Sequence, residues 1–533
     1  MNKANIIKKN ENNIIYFLIF VFFIFCSFFT KDFGVTLDDE IYYLNGLNTY
    51  EYVKDFFINL FKEQENIGFY RDKLKEWPII FEFILIFISD LLGLKSIDKI
   101  YFLAHQLNFT IFCLSLLIFY KFIKKRFNSF YLSTLSIILI ILSPRIFGET
   151  FYNTRDIFFM SLFIFYNFAA YLFLEKKNIS RLVFFSIFTA ILINTKVLAF
   201  IPVFVFLLIY IYNFFNTVKK FQYEKKIIII FVTTTLVSIY ILWPFLWSNP
   251  IFNLYEAFNN ILKVHENLIV VNLYFGNYMQ SDMMPWHYRL VWFVITTPVV
   301  VLILFLIGMS VTGKKVFISL KNTLNKNFNL ENNCLIDLYF FVTFFLTFFL
   351  VGELNNSKFG GWRHLYFLYP ITIYFSIHGI NFITKNFNYR SVLMVYSILF
   401  ISLTYNLFWI VKNHPNQHLY FNHLNKKYLM KNFDLDWWGV THKQALDYIL
   451  INDNNSKINI YAKGFSSLRD TYLYLNNYDK SRIFISNLNN ADYIIDNKMK
   501  RIRSYENINF NKYSKFYSLK VDDQIVTEVY KKN

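Results

Sequence analysis

Residues 157 to 174 read IFFMSLFIFYNFAAYLFL, an uncharged and almost wholly apolar run of 18 residues. A helix of about 20 apolar residues spans the hydrocarbon core of a bilayer. Similar runs recur along the 533 residues, of which 55% are apolar, 22% aromatic and only 17% charged. Because soluble domains are rarely so apolar in such long blocks, the composition predicts a protein that crosses a membrane several times.

The sequence contains about 11 apolar runs that we expect to cross the bilayer as helices. They are 14–29, 100–120, 130–142, 157–174, 182–193, 197–215, 227–247, 291–309, 335–351, 365–383 and 392–411. A shorter run at 79–92 carries Glu82 and Asp90, and we expect it to lie on the outer surface as a helix. The expected fold is therefore a membrane all-α bundle.

Lys and Arg residues gather in the short loops between these runs. Basic residues next to membrane spans mark the cytoplasmic side. If the clusters beginning at Lys3, Lys121, Lys176, Lys219, Lys314 and Lys385 are all cytoplasmic, the N-terminus lies inside and the chain after residue 411 lies outside. This orientation accounts for the net charge of +18, and nucleic acid is not an expected partner.

The chain after the last apolar run is polar and has a different pattern. It contains strand-like segments at 458–462 and 493–496, and two further strands at 517–521 and 525–530 that are expected to form a hairpin. We therefore expect two domains: a transmembrane domain over 1–411 and a small α+β periplasmic domain over 412–533.

Acidic residues lie where two outer loops meet the membrane. Asp38, Asp39 and Glu40 are consecutive and follow the first run closely, and Arg155-Asp156 directly precedes the run at 157. Acids at the membrane edge are candidates for function because an unpaired charge there is costly. The alternatives are an exposed loop start for the first group and a helix N-cap for Asp156.

These acids belong to a series of short motifs along the chain. They are Asp39-Glu40, Ala104-His105-Gln106-Leu107-Asn108, Ser143-Pro144-Arg145 with Phe147-Gly148, Asn153-Thr154-Arg155-Asp156, Trp243-Pro244, Pro285-Trp286-His287-Tyr288, Gly361-Trp362-Arg363-His364, Tyr420-Phe421-Asn422 and Asp436-Trp437-Trp438-Gly439. Their order resembles the GT-C glycosyltransferases, a superfamily that includes protein O-mannosyltransferases and the lipid A aminoarabinose transferase. The closer resemblance is to bacterial members of the protein-mannosyltransferase-like family, which usually have Arg where this chain has Ala104.

This resemblance implies an inverting glycosyltransferase in the inner membrane. Such an enzyme takes a sugar from a polyprenyl phosphate, of the undecaprenyl or dolichyl type, and passes it to a lipid, glycan or protein acceptor outside the cytoplasm. It implies that Asp39 is the base that deprotonates the acceptor, and that Glu40 and Asp156 orient the acceptor or the base. Asp38 is either the base instead or part of the substrate site.

The departing phosphate requires a cation. We expect Arg363 with His364 to hold it, since the forked guanidinium matches phosphate oxygens, although Arg363 could instead be an interfacial anchor. Arg155, Lys196 and the basic residues at 71, 73 and 75 are further candidates. No cofactor is certain, and a divalent cation at the three acids is left open.

Two other functions fit a polytopic protein. A transporter or flippase for lipid-linked sugars would carry charges at the membrane midplane, whereas here the acids gather at the rim. An inactive scaffold of the same family is the other alternative. The sequence specifies neither the sugar, the acceptor, nor the length of the carrier lipid.

Overall fold

The structure is a computed structural model that describes residues 3–59, 77–215, 221–267, 269–326, 330–353, 358–423, 425–463, 467–498 and 510–533. In these ranges the helices are α1 (Lys3–Ser27), α2 (Asp39–Asn59), α3 (Ile80–Leu91), α4 (Ile97–Phe127), α5 (Phe130–Ile141), α6 (Pro144–Glu149), α7 (Asp156–Glu175), α8 (Ile179–Ile193), α9 (Phe200–Phe215), α10 (Phe221–Leu242), α11 (Pro250–Asn267), α12 (Tyr288–Thr296), α13 (Val299–Lys326), α14 (Asn332–Glu353), α15 (Tyr369–Asn386), α16 (Tyr389–Lys412), α17 (Lys426–Asn432), α18 (His442–Asn452), α19 (Leu468–Tyr474) and α20 (Asn477–Arg482). The strands are β1 (Val271–Tyr274), β2 (Asn277–Gln280), β3 (Ile458–Ala462), β4 (Ile483–Ile485), β5 (Tyr493–Asn497), β6 (Tyr513–Val521) and β7 (Gln524–Lys532).

Within the described residues, 7 helices are long and apolar enough to cross a membrane. They are α1, α4, α7, α10, α13, α14 and α16, and shorter apolar segments form α5, α8 and Val197–Asn213. The protein is thus a multi-pass membrane protein with a helical bundle, as the apolar runs predicted. The count of 11 spans and the direction in which the chain is inserted stay predictions.

The bundle is built around α7, which is buried along most of its length, whereas α1, α10 and α16 expose most of theirs. Exposed apolar faces are suited to lipid tails. Asn332 donates from its amide to the carbonyl of Leu174 at 2.7 Å, so α14 begins beside the end of α7. The helices α13 and α15 cross closely because Gly308 and Gly379 face backbone carbonyls where a Cβ would not fit.

The run at 291–309, predicted as one helix, is divided between α12 and α13. The break lies at Thr297-Pro298, because proline lacks an amide hydrogen and forces the preceding residue to be extended. The amide of Asn422 donates to the carbonyls of Val294 at 2.7 Å and Thr297 at 3.0 Å. The Asn422 side chain thus supplies hydrogen-bond donors to two carbonyls near the break between α12 and α13.

The C-terminal part forms a five-stranded mixed sheet in the order β4-β3-β5-β7-β6. The pairs β3–β4 and β3–β5 are parallel, and β5–β7 and β6–β7 are antiparallel. A separate apolar core begins at Ala445, while residues from Leu419 to Val440 pack on the core of the bundle. The predicted strands, terminal hairpin and small α+β domain are confirmed, and the boundary at 412 stays a prediction.

Candidate active site at the start of two helices

The three acids of the first loop lie at the start of α2, where the sequence predicted only a loop. Their side chains have different partners. Oδ2 of Asp38 lies 3.8 Å from Nη1 of Arg363, whereas Oδ2 of Asp39 accepts a backbone amide of the preceding turn at 2.6 Å. Oε1 of Glu40 accepts a hydrogen bond from Arg469 at 2.7 Å. The start of the helix therefore separates three carboxylates that are adjacent in sequence.

Asp39 has the surroundings of a base. Burial raises the pKa of Asp39 well above its ordinary value, although the hydrogen bond from the Thr36 amide acts in the opposite direction. Asp39 also lines a pocket that is partly open to solvent, together with Tyr42, Tyr43 and Glu82. A carboxylate with a raised pKa beside a cavity can take up a proton from a bound hydroxyl.

The start of α2 is also held from the C-terminal domain. Oδ1 of Asp470 accepts the backbone amide of Glu40 at 3.2 Å, so a residue of α19 caps a helix 430 positions earlier in the chain. Asp470 is buried, and burial raises its pKa to about 7. Tyr474, on the same short helix, packs 5.4 Å from His105 of α4. The C-terminal domain therefore helps to fix the acidic stretch.

Asp156 begins α7 and is buried. Its backbone amide donates to Oδ1 of Asn153 at 2.8 Å, and the amide group of Asn153 donates to Oδ2 of Asp156 at 3.1 Å. Oδ1 of Asp156 forms an ion pair with Lys196, and Nδ1 of His364 lies 3.7 Å away. Burial lowers the pKa of His364 to about 3, so this imidazole is neutral at physiological pH. Asp156 thus connects α7 to Lys196, which precedes the Val197–Asn213 segment, and to His364, which precedes α15.

Arg155 forms its ion pair with Glu82. Its Nη1 donates to both carboxylate oxygens of Glu82 at 3.2 Å, and its guanidinium carbon lies 4.0 Å from the centre of the Tyr42 ring. This contact holds α3 against the start of α7. It also explains why the short run at 79–92, which forms α3, keeps a buried acid: Glu82 pairs with Arg155.

Arg363 and His364, predicted as one phosphate-binding pair, have different neighbours. Arg363 contacts Asp38, stacks 4.1 Å from the ring centre of Trp438 and lines a second cavity that is partly open to solvent. His364 faces the Asp156 carboxylate instead. The structure therefore links the predicted residues into one chain of contacts, running from Asp38 through Arg363 and His364 to Asp156 and Lys196.

Comparisons with known proteins leave the function open. No protein-family model matches the chain, and neither does any curated protein. Two crystal structures of ArnT from Cupriavidus metallidurans align with 96% of this chain and 97% of their own, at 10% identity. One is bound to undecaprenyl phosphate, with a TM-score of 0.44, and the other is in the apo state, with a TM-score of 0.46.

Sequence reasoning missed three side chains near this site. Arg145 lines the second cavity, whereas its sequence motif did not predict a role for it at the site. Asp470 and Arg469 lie far from any acidic motif, so the sequence carried no signal for them. The Asp39 side chain lines the first cavity with Thr154, two residues before Asp156. A single cleft shared by Asp39 and Asp156 stays a prediction.

Metal binding finds no support in the described part of the chain. There, no group of three or more His, Cys, Asp or Glu side chains is arranged to hold a metal ion. The basic residues at 71, 73 and 75 lie outside the described residues. The site thus contains Asp39, a carboxylate with a raised pKa that lines the first cavity, and Arg363, which contacts Asp38 and lines the second cavity.

Proposed function

We propose that this protein is an inverting glycosyltransferase of the GT-C type that uses a polyprenyl-phosphate sugar. The observation that supports it best is the contact, at 3.8 Å, between Arg363 and Asp38, the residue that precedes Asp39 in the chain. Transfer from a lipid phosphate needs a base for the acceptor and a cation for the leaving phosphate. We assign the first role to Asp39 and the second to Arg363, which contacts the residue before Asp39.

In the proposed reaction, Asp39 removes the proton from an acceptor hydroxyl or amine. The acceptor atom forms a bond to the anomeric carbon while the bond from that carbon to the phosphate oxygen breaks, so the configuration inverts. The electron pair of the broken bond leaves with the phosphate, whose charge Arg363 stabilises. The proton stays on Asp39 until water removes it.

Asp39 is preferred to Asp38 as the base because the two carboxylates have different partners. Asp38 already has a cation as its neighbour, since its carboxylate lies 3.8 Å from the Arg363 guanidinium. Asp39 has no described cation in contact, and burial raises its pKa. Glu40 and Asp156 then act as positioning residues, and Arg155, Lys196 and His364 complete the polar surroundings of the substrate.

The proposed location is the bacterial inner membrane, with the N-terminus in the cytoplasm and the C-terminal domain in the periplasm. The proposed acceptor is a lipid, glycan or protein on the periplasmic side. The sugar is not specified by these residues.

The test is a transfer assay with the purified full chain in lipid nanodiscs and a panel of undecaprenyl-phosphate sugars. We expect Asp39→Asn to lower turnover about 100-fold to 10,000-fold, because the general base is lost, and Asp38→Asn to have a smaller effect. Asp55→Asn is the matched control, since Asp55 is an exposed acid on the same helix.

Full activity in Asp39→Asn would refute the base assignment. Movement of the lipid-linked sugar across the membrane by a wild-type protein that forms no new glycosidic bond would instead favour a flippase. A folded wild-type protein that neither transfers nor moves any sugar of the panel would favour the inactive scaffold.

A further inference from the structure

The first cavity, which Asp39 lines, combines apolar walls with a few polar groups. Val35, Phe81 and Leu85 form part of the walls, and Tyr101 of α4 lines the cavity as well. Because the cavity is partly open to solvent, a larger molecule can lie at its mouth and extend one of its groups inside. The polar side chains of the cavity decide which group fits there.

Tyr101 carries a buried hydroxyl without a partner. The residue is only 3% exposed, and its hydroxyl forms no hydrogen bond within the described residues. Its ring is held between two others, with ring centres 6.0 Å from Tyr43 and 6.4 Å from Tyr474. A buried tyrosine hydroxyl usually has a partner, because an unpaired polar group is costly. Tyr101 therefore presents a donor that the protein itself does not use.

Two other polar side chains of this cavity already have partners. Both carboxylate oxygens of Glu82 accept hydrogen bonds from Arg155 at 3.2 Å. Nδ1 of His105 lies 3.3 Å from the carbonyl oxygen of Thr30, within hydrogen-bond distance. Neither side chain therefore needs a ligand as its partner.

Asp39 and Tyr101 present complementary hydrogen-bonding groups. The ionised carboxylate accepts and the phenol donates, and Asp39 is the acid whose charge acts most strongly on Tyr101. A hydroxyl group suits both, because it donates its proton to the carboxylate while its oxygen accepts from the phenol. A protonated amine accepts no hydrogen bond, and a fully ionised phosphate donates none. The pair therefore fits a neutral hydroxyl.

We propose that Tyr101 positions a sugar hydroxyl of the acceptor beside Asp39. This inference rests on the proposed transfer reaction, in which Asp39 removes the proton of that hydroxyl. The Tyr101 hydroxyl donates to the acceptor oxygen, so the acceptor proton is directed at the carboxylate. The apolar walls, which include the ring of Phe81, suit the C–H faces of a sugar ring. The acceptor class is then a neutral glycan.

The first measurement concerns binding and needs no turnover. The full chain, in lipid nanodiscs, carries fluorotyrosine at position 101, and its fluorine NMR signal is followed during titration with the methyl glycosides of glucose, galactose and mannose. We expect a saturable shift with at least one glycoside and none with its permethylated form, which keeps the ring but has no hydroxyl. Fluorotyrosine at position 131 is the control, since Tyr131 is 79% exposed.

The second measurement uses Tyr101→Phe, which removes the hydroxyl and keeps the ring. In the transfer assay, with the bound glycoside as acceptor, we expect the acceptor KM to rise about tenfold, because one hydrogen bond is lost, while the donor KM stays unchanged. The melting temperature without ligand should not fall, since this hydroxyl has no partner within the described residues. Tyr131→Phe should match wild type in all three quantities.

The two measurements separate this inference from the proposed transfer. A saturable shift at position 101 in a protein that transfers no sugar would support the hydroxyl site and refute the transferase. The absence of a saturable shift with every glycoside, or an unchanged acceptor KM in Tyr101→Phe, would overturn the role of Tyr101. A rise in the donor KM alone would assign the hydroxyl to the donor sugar and contradict the proposal. A Tyr101→Phe variant that is unfolded or less stable would show a structural role instead.

Discussion

The bundle buries a carboxylate near each end of α7, and the two carboxylates differ in what surrounds them. Asp156, the first residue of α7, pairs with Lys196, and His364 lies 3.7 Å from it. The residue before His364 is Arg363, which lines a cavity and contacts Asp38. At the start of α7 a buried ion pair therefore lies near a cavity-lining arginine.

The carboxylate at the other end is Asp337, in the first turns of α14. Nη2 of Arg126 donates to it at 2.8 Å, Tyr374 donates to it as well, and Nε2 of His378 lies 3.4 Å away. Arg126 also donates from Nε to the hydroxyl of Tyr374 at 3.0 Å. The group joins α4, α14 and α15 and lines neither of the two cavities described.

The comparison shows that a buried acid with a cation and a histidine is not enough to indicate catalysis. Structural ion-pair networks in bundles have the same composition as active sites. What separates the two ends is the neighbouring cavity with unpartnered arginine donors, found beside Arg363 and Arg145. Asp156 stays a proposed site residue because His364, which faces it, follows the cavity-lining Arg363, and we propose that Asp337 stabilises the bundle.

Of the two carboxylates compared here, removing the charge of Asp156 should have the larger effect on activity. We expect Asp156→Asn to lower turnover at least about 100-fold, because a residue that orients the reacting groups is lost. The substitution also leaves Lys196 buried without its partner, which lowers stability. The double variant Asp156→Asn with Lys196→Gln removes both charges and should recover stability while activity stays low. A stable double variant with wild-type turnover would remove Asp156 from the site.

Removing the charge of Asp337 should affect stability more than activity. We expect Asp337→Asn to lower the free energy of unfolding by about 3 kcal/mol, because Arg126 is left buried and unpaired. The double variant Asp337→Asn with Arg126→Gln should recover most of this loss, and both variants should transfer sugar at wild-type rates at low temperature. Thermal unfolding in detergent and the transfer assay measure the two quantities. Loss of turnover in the stable double variant would contradict the comparison.

Sequence reasoning found the first of these regions and missed the second for physical reasons. Asp156 follows a polar loop and was visible as an acid at the edge of an apolar run. Asp337 lies inside the run at 335–351, where a single acid does not disturb the hydrophobic pattern. Its partner Arg126 was assigned to a basic loop, and only the packing of α4 against α14 brings the two together.

The direction in which each site residue points was beyond sequence reasoning as well. The order Asp38-Asp39-Glu40 does not reveal that α2 begins here and turns each carboxylate to a different partner. The adjacent residues Arg363 and His364 were expected to act together, yet they contact Asp38 and Asp156 separately. Apolar runs predict helices well, while the rotation and contacts of each helix depend on packing that no single run encodes.

The smallest predicted effect concerns Asp470, a third buried acid that lies outside the bundle and has no described cation. Burial raises its pKa to about 7, so the folded protein binds this proton more tightly than the unfolded chain. The stabilisation is present at low pH, declines as the pH rises from about 4 to 7, and then stays constant. Asp470→Asn keeps the oxygen that accepts the Glu40 amide but does not titrate. We expect the melting temperature of the variant, relative to wild type, to rise by about 4 °C from pH 4 to pH 7.

Asp523→Asn, at an exposed turn, is the control and should show no such trend. A constant difference between Asp470→Asn and wild type across this pH range would mean that Asp470 is already ionised in the folded protein.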